Sequence, residues 1–266
     1  GTNGKSSIAD FYYQILDLNN KKVASIGTLG IKTRKYKKNL SNTTIDPIQL
    51  SKILNKLKKN NINNVIMEAS SHGLSQNRLD GLLFDTGIFT NLSQDHLDYH
   101  KNTKNYFKAK LYLFEKLIKK RGNIITDEQI PEFKKIKDIA TNKNLNLFSL
   151  FDKKNDFQLL SHQYEGESQI LEIKYKNSIN KIKLNLIGKV QFKNVLMAVI
   201  ASIKSNIKIK DILNIIPKIE SVEGRFERVG RIKNNSKVIL DYAHTPDALK
   251  TCLQNIKEQF PSKKYH

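Results

Sequence analysis

Gly1-Thr2-Asn3-Gly4-Lys5-Ser6-Ser7 runs without a break into Ile8 to Leu18, an amphipathic stretch at helical spacing. That junction constrains the fold more than any other feature, because it has the form of a phosphate-binding loop. Glycines let backbone N–H groups close around phosphate oxygens, and the new helix points its positive end at them. Lys5 reaches the terminal phosphates, and a Ser hydroxyl can hold Mg²⁺. Nucleoside triphosphate binding is the first expectation, with an ordinary Gly-rich turn as the bland alternative. Such loops join a strand to a helix in an α/β sheet. Both that strand and the first glycine of the usual Gly-x-x-x-x-Gly-Lys-Ser/Thr spacing would precede residue 1, so the chain reads as a fragment.

Beyond the loop and its helix, strand and helix patterns alternate. Lys22 to Gly27 reads as a strand, and Asp46-Pro47 opens a helix with Ile48, Leu50, Ile53, Leu54 and Leu57 on one face. Two buried-type strands come next, Asn64 to Ala69 and Thr86 to Asn91. Thr103 is the expected cap of a helix running through Tyr106, Lys110 and Phe114 to Ile118, followed by a strand over Gly122 to Thr126 and a helix around Pro131 to Thr141. This βα order predicts an α/β fold with a mostly parallel, P-loop-type sheet flanked by helices. From Asp156 to Leu186 the period changes to two, which predicts a small antiparallel patch. Helices over Phe192 to Ser205 and Lys210 to Ile216 stop at Pro217. Strands Arg228 to Ile232 and Lys237 to Asp241, with a helix after Thr245-Pro246, read as the start of a second, Rossmann-like α/β domain. The expected division is residues 1–222, lacking a first strand, and 223–266, left incomplete.

With 39% hydrophobic residues over 266 positions, the chain can bury one large core or two smaller ones. No apolar run reaches the roughly 18 residues of a membrane span. A lone Cys252 argues against disulfides and structural zinc and fits the cytoplasm. The net charge of +21 raises a nucleic-acid reading. Its lysines, however, are scattered among Asn and Ile without an Arg stripe or aromatic platform, so no nucleic-acid partner is expected. The densest basic run, Lys32 to Lys38, either meets an anionic substrate or is a solvated loop.

Glu68 ends a hydrophobic strand and precedes Ala69-Ser70-Ser71-His72-Gly73. In a nucleotide-binding sheet a carboxylate at that edge is placed as a Mg²⁺ ligand, the alternative being a solvated strand end. Thr86 to Asn91 likewise delivers Asp95, His96, Asp98 and His100, which either bind metal or form a helix-capping cluster. In order along the chain, the phosphate loop, Asn42-Thr43-Thr44, Glu68 to Leu74 with Gln76 and Arg78, and Thr90-Asn91-Leu92-Ser93 through His100 resemble the Mur ligase family. Ala109-Lys110, Gly224-Arg225-Phe226-Glu227 and Asp241 to Asp247 extend the match over essentially the whole chain.

The resemblance implies a set of roles. Gly1, Thr2, Asn3, Gly4, Lys5, Ser6 and Ser7 would surround the ATP phosphates, with Asn194, Arg225 and Asp241 around the rest of the nucleotide. Ser6, Glu68, His96 and Lys110, the last as a carbamate, would hold Mg²⁺, two ions in all. Lys5, Glu68, His96 and Lys110 would form the catalytic group, and Thr43, Thr44, Ser70, Gln76 and Arg78 would contact the muramyl peptide. The implied reaction is ATP-dependent amide ligation through an acyl phosphate. It adds a diamino acid to UDP-N-acetylmuramoyl-L-alanyl-D-glutamate for peptidoglycan, and the enzyme is a cytoplasmic monomer. Base rates favour meso-diaminopimelate over L-lysine. A folate polyglutamate or cyanophycin-type ligase is the alternative within the ligases. A nucleotide-dependent binding protein or nucleic-acid-associated ATPase is the alternative outside them. Family members also carry an N-terminal uridine-nucleotide domain and a whole C-terminal domain, so the fragment is expected to be inactive alone. Two departures stand out: Ile45 follows the paired threonines where the family has Pro, and Gln191 replaces an Asn, which is expected to place its amide differently.

Overall fold

A computed structural model describes residues 2–152, 156–232 and 236–261; Gly1 of the phosphate loop lies outside the described residues. Helix α1 spans Lys5–Leu18 and is entered through Gly4 at φ 88°. That left-handed conformation favours glycine, and a Cβ there would sit 2.7 Å from Asn194 Oδ1. Strands β1 (Val23–Gly27), β2 (Gly30–Thr33) and β3 (Lys37–Lys38) follow, then α2 (Pro47–Lys59) and β4 (Asn64–Met67). Their sheet has the order β3-β2-β1-β4, with β1 parallel to β4 and antiparallel to β2. Asp46 caps α2 as expected, its side chain accepting from the Ile48 and Gln49 amides, with Pro47 in the first turn.

The next stretch builds a second sheet. α3 (Ser71–Ser75), β5 (Phe84–Ile88), α4 (Leu97–His100) and α5 (Thr103–Tyr112) lead through a π-helical turn at Leu113–Leu117 into β6 (Ile118–Thr126). α6 (Phe133–Asn142) and β7 (Asn146–Ser149) complete an all-parallel β5-β6-β7 sheet. Three local expectations shift here. Asn102, not Thr103, caps α5, accepting the Asn105 amide at 2.8 Å. β5 begins two residues early at Phe84 and ends at Ile88, because Thr90 and Asn91 turn away to bond the phosphate loop. β6 begins at Ile118 rather than Gly122, continuing directly from the π-helical turn.

β8 (Phe157–Glu165), β9 (Ser168–Tyr175) and β10 (Ser178–Leu184) form the antiparallel patch, in the order β10-β9-β8. α7 (Lys189–Lys204) and α8 (Ile209–Ile215) end at a 3₁₀ turn, Ile216–Lys218, that contains Pro217. The main core lies between α1, α7 and this patch. Phe11, Ile15 and Leu16 of α1 are fully buried with Val195, Ala198 and Val199 of α7 and Leu171 and Ile173 of β9. Burial of each of these side chains larger than Ala contributes about 1.5–3 kcal/mol, and because α1 meets both α7 and the patch it carries apolar residues on more than one face.

Strands β11 (Glu227–Ile232) and β12 (Ser236–Leu240) pair antiparallel, followed by α9 (Pro246–Gln259), capped by Thr245. Residues 227–240 thus form an antiparallel hairpin ahead of α9. It is clasped to the β8–β9 turn by Glu167, whose carboxylate meets Arg228, Arg231 and Lys237 at 3.2, 2.9 and 2.5 Å. The Lys237 hydrogen bond, with the charges of Lys237, Arg228 and Arg231, outweighs burial and holds the Glu167 carboxyl below its ordinary value of 4.5. A carboxyl depressed in the folded state stabilises above its unfolded pKa, and that stabilisation is lost as pH falls through the folded value. Glu167→Gln is accordingly expected to cost about 1 kcal/mol at pH 7 and low salt. In urea unfolding the difference from the parent should shrink at high salt and as pH falls below the ordinary glutamate value.

The basic run also differs from expectation. It is a hairpin whose charges are met internally: Lys32 pairs with Asp10 at 2.6 Å, Arg34 with Asp17 at 2.8 Å and Lys37 with Glu223 at 2.7 Å. Three of its five cations are engaged in this way, which weakens the idea of a surface for an anionic substrate.

Candidate functional site

The C-terminal ends of β1, β4 and β5 all arrive at the phosphate loop. From β5, the segment Thr90–Ser93 holds the loop by both backbone and side chain. The Thr2 amide donates to Asn91 O at 2.9 Å, the Asn3 amide to Asn91 Oδ1 at 2.9 Å, and Thr90 Oγ1 to Asn3 O at 2.6 Å. Thr2 Oγ1 accepts from the Ser93 amide at 3.1 Å and lies 3.1 Å from the Tyr106 hydroxyl on α5. The loop is thus fixed in shape before any ligand arrives, and the N-terminus of a 14-residue helix opens beneath it.

Glu68, just past β4, is 4% exposed. Its Oε2 accepts from Ser6 Oγ at 3.0 Å and from Thr28 Oγ1 at 3.2 Å, and its Oε1 accepts from the Thr28 amide at 2.8 Å. This rules out the solvated strand-end reading. Gly27 is the reason the carboxylate fits: a Cβ there would fall 2.2 Å from Glu68 Oε1. Thr44 continues the support, donating to Glu68 O and accepting from the Ser70 amide, both at 2.9 Å. A buried carboxylate against a loop hydroxyl suits Mg²⁺, which takes one or two carboxylates, keeps several waters and borrows oxygens from phosphate. Among the described residues, no group of three His, Cys, Asp or Glu side chains could by itself enclose a metal ion. An ion here would complete its shell from solvent and substrate.

Lys5 Nζ donates to Thr2 O at 2.7 Å. Burial lowers its pKa, while Glu68 and Asp95 pull it back up. Lys110 is 4% exposed, and its Nζ lies 4.0 Å over the Tyr106 ring. Burial first, and the Lys5 charge second, hold it well below the ordinary lysine value. That environment contradicts a solvated helix lysine. His96 sits in a left-handed conformation, φ 53°, at the start of α4 and makes no side-chain cap. Its ring lies 4.8 Å from that of His72, which in turn stacks on Tyr99 at 4.2 Å and lies 5.4 Å from His100. The helix-capping reading of His96 therefore fails, and an aromatic, imidazole-rich wall takes its place.

Thr43, Thr44, Ser70, Gln76 and Arg78 gather beside that wall. Thr43 Oγ1 is 3.0 Å from Thr28 Oγ1, and Ser70 Oγ caps α3 by accepting the Gly73 amide at 3.0 Å. Arg78 donates to Thr44 O at 2.6 Å and to Gln76 Oε1, and Gln76 Nε2 donates to the Tyr99 hydroxyl at 3.1 Å. Ile45, where Pro was expected, is 2% exposed and packs in the core with Leu50 and Leu74.

On the opposite side, Asn194 of α7 lies against Gly4. Its Nδ2 donates to Gln191 Oε1 at 3.2 Å, and Gln191 Nε2 donates to Arg225 O at 2.9 Å. Gln191 is only 2% exposed, so both ends of its amide are spent inside the protein. It is a strut between Asn194 and Arg225, and its extra methylene gives it the reach to span them. Asp241 accepts the Phe226 and Ala243 amides, both at 2.9 Å, and burial nevertheless raises its pKa. The Arg225 guanidinium lies 4.5 Å over the Tyr242 ring. The contacts described gather Ser6, Thr44, Glu68, Ser70, Arg78 and Asn194 around the phosphate loop. Thr28, Gly27 and Tyr106 were missed; the strand-end argument applied to Glu68 also fits Gly27-Thr28, whereas Tyr106 sits inside α5 and carries no such local signal.

Comparison with known proteins agrees with this geometry. The family model described as the Mur ligase middle domain matches residues 1–202, and the one described as the Mur ligase, glutamate ligase domain matches 224–266. The UDP-N-acetylmuramoyl-L-alanyl-D-glutamate--2,6-diaminopimelate ligase of Zymomonas mobilis is 35% identical over 257 residues, covering 97% of this chain and 53% of its own. The enzyme of the same name from Rickettsia montanensis is 36% identical over 262 residues, with the same coverage. This chain therefore spans about half the length of those relatives. A solved structure titled with that ligase name superposes with a TM-score of 0.81 at 26% identity, covering 97% of this chain and 52% of the other. The apo form of L. casei FPGS shares the fold, with a TM-score of 0.73 at 14% identity, covering 98% of this chain and 70% of its own. A phosphate loop braced by β5, a buried Glu68 against Ser6, and these matches over nearly the whole chain establish that it belongs to the Mur ligase family.

Proposed function

We propose that the protein containing this chain joins an amino acid to UDP-N-acetylmuramoyl-L-alanyl-D-glutamate, using ATP, and that the amino acid is meso-diaminopimelate. The carrying observation is Glu68, buried and triply hydrogen-bonded against Ser6 of the phosphate loop. The names of the relatives support the choice of substrates. Residues 1–222 act as the nucleotide-handling domain and 223–266 begin the next. The nucleotide lies between Asn194 on one side and Arg225 and Asp241 on the other.

The loop amides and Lys5 hold the terminal phosphates of ATP. The D-glutamate carboxylate attacks the γ-phosphorus, its bond to the β–γ bridging oxygen breaks, and ADP departs to leave an acyl phosphate. The amine then attacks the acyl carbon, phosphate leaves and a proton is released. Ser6 and Glu68, with His96 and a carbamate on Lys110, are the residues that would hold Mg²⁺; when bound, the ion offsets negative charge on the transferring group. Lys5 supplies positive charge to the same oxygens, where most catalysis of phosphoryl transfer arises. Arg78, its guanidinium supported by Thr44 and Gln76, presents a planar fork to an anionic group of the muramyl peptide. Thr43 and Ser70 line the same approach.

The test is phosphate release from ATP by the protein containing this chain, with UDP-muramyl dipeptide, a folate or DNA as stimulant and each diamino acid as acceptor. Stimulation by the dipeptide and amide formation with diaminopimelate are expected. Stimulation by folate alone would sink the muramyl reading, and amide formation with L-lysine alone would reassign the acceptor. Residues 1–266 by themselves are expected to form no amide.

A further inference from the structure

Helix α7, whose Asn194 lies against the phosphate loop, begins without a cap of its own. Its N-cap position is Gly188, at φ 87° and without a side chain, so the first amides of the helix must be met from elsewhere. They are met by α9. Gln259 Oε1 accepts from the Gly188 amide at 2.8 Å and Asn255 Oδ1 from the Val190 amide at 2.9 Å, across 71 and 65 positions of sequence. The approach is close: a Cβ on Gly188 would fall 3.1 Å from Asn255 Cβ.

Asn255 and Gln259 share one face of α9, and with Cys252 they are its buried residues. Amides on a buried stripe are costly unless their hydrogen bonds are complete. Here Asn255 Nδ2 also donates to Thr251 O at 2.8 Å and Gln259 Nε2 to Gly166 O at 3.4 Å, beside an apolar cluster of Ile187, Phe226 and Cys252. Apolar residues at both positions would seal the contact equally well; only the amides can complete the start of α7. The turn they complete leads into the nucleotide residues. Gln191 donates to Arg225 O, and Asn194, one turn on, bonds Gln191 and stands behind Gly4. A frayed start of α7 would loosen Gln191 and Asn194 together.

We propose, taking this edge to be the nucleotide site, that Asn255 and Gln259 are positioning residues for the nucleotide. By capping α7 from α9 they hold Asn194 against Gly4, so the wall behind the phosphate loop is complete only while α9 is docked. Neither residue belongs to the loop; both act through α7. The coupling runs both ways, since a nucleotide that binds more tightly when α9 is docked must in turn hold α9 more firmly. Bound ADP is therefore expected to slow hydrogen exchange at the Gly188 and Val190 amides by about the factor that uncapping costs in affinity.

The test uses the protein containing this chain, with ADP as the probe, and needs no turnover. Gln259→Met and Asn255→Leu remove the acceptor at nearly constant volume, and Gln259→Glu keeps an acceptor for the Gly188 amide. Glu167→Gln loosens the neighbouring clasp on Arg228, Arg231 and Lys237 without touching α7. Affinity for ADP is expected to fall about tenfold in each of the first two and to stay within about threefold of the parent in the other two. In turnover, KM for ATP should rise by the same factor while kcat and KM for UDP-muramyl dipeptide hold, a split that a general loss of stability does not produce. Parent-like ADP affinity in Gln259→Met and Asn255→Leu would overturn the proposal. An equal loss in Glu167→Gln would also overturn it, because stability alone would then explain the effect. Should either apolar variant fail to fold, exchange at Gly188 and Val190 in the parent decides, and rates unchanged by ADP overturn the coupling. A parent that binds no ADP would remove the nucleotide reading, and this inference with it; a parent that binds ADP beside variants that bind it equally well would remove the inference alone.

Discussion

Replacing Glu68 by Gln is expected to lower Mg²⁺-dependent turnover by about a thousandfold in the protein containing this chain, while the protein still folds. The carboxylate accepts three hydrogen bonds, from Ser6 Oγ, Thr28 Oγ1 and the Thr28 amide. Gln preserves the shape and one acceptor oxygen but turns an NH₂ towards hydroxyl groups and removes the charge. One buried mismatch costs about 1–3 kcal/mol of stability, within the margin of an ordinary domain. Turnover measured over a Mg²⁺ titration, beside a urea unfolding curve, separates the two effects. If more Mg²⁺ restores full turnover, the ion is bound weakly but still placed by other groups. If a variant that folds normally keeps more than about a tenth of its activity at low Mg²⁺, Glu68 has no part in holding the ion.

Gly27→Ala should be almost as damaging, although Gly27 has no functional group. Its new methyl would lie 2.2 Å from Glu68 Oε1 and 2.5 Å from Glu68 Cγ. The backbone around it is held by pairing with Gly30 on one side and by parallel β4 on the other, so the carboxylate is the part that moves. Overpacking of this kind costs about 1–3 kcal/mol. The larger effect is on chemistry, because a displaced Glu68 loses its Ser6 and Thr28 donors together. Turnover is expected to fall by about a hundredfold or more, with the loss concentrated in Mg²⁺ dependence. A variant that loses stability but keeps its Mg²⁺ response would show that the site can shift without cost.

The elements that announce themselves locally were legible in the sequence. The loop running into α1, the Asp46-Pro47 and Thr245-Pro246 helix starts, and the change to period two before β9 all depend on residues close in the chain. Glu68 was legible because a carboxylate ending an apolar strand is exceptional. What remained hidden depends on partners far away in sequence. Asn102 and Thr103 are both good caps, and the packing of α5 against the site decides between them. The pairing of Lys32 with Asp10, or of Glu167 with three cations of β11 and β12, joins residues 22 to 70 positions apart, and no local pattern records it. Gln191 shows the limit of matching by residue type: it departs from the family pattern and still completes the contact between Asn194 and Arg225.

Because α1 is buried largely against α7, it lacks much of its apolar cover until that later helix is made. About 170 residues separate Leu18 from Lys189, which at about 10 residues per second is a wait of roughly 20 s. During that interval Phe11, Ile15 and Leu16 are exposed, the phosphate loop lacks Asn194 behind Gly4, and a nascent chain cannot hold nucleotide in its final geometry. Competence to bind nucleotide should then arise late and abruptly during synthesis. A chaperone that shields short apolar helices would find a long opportunity at α1.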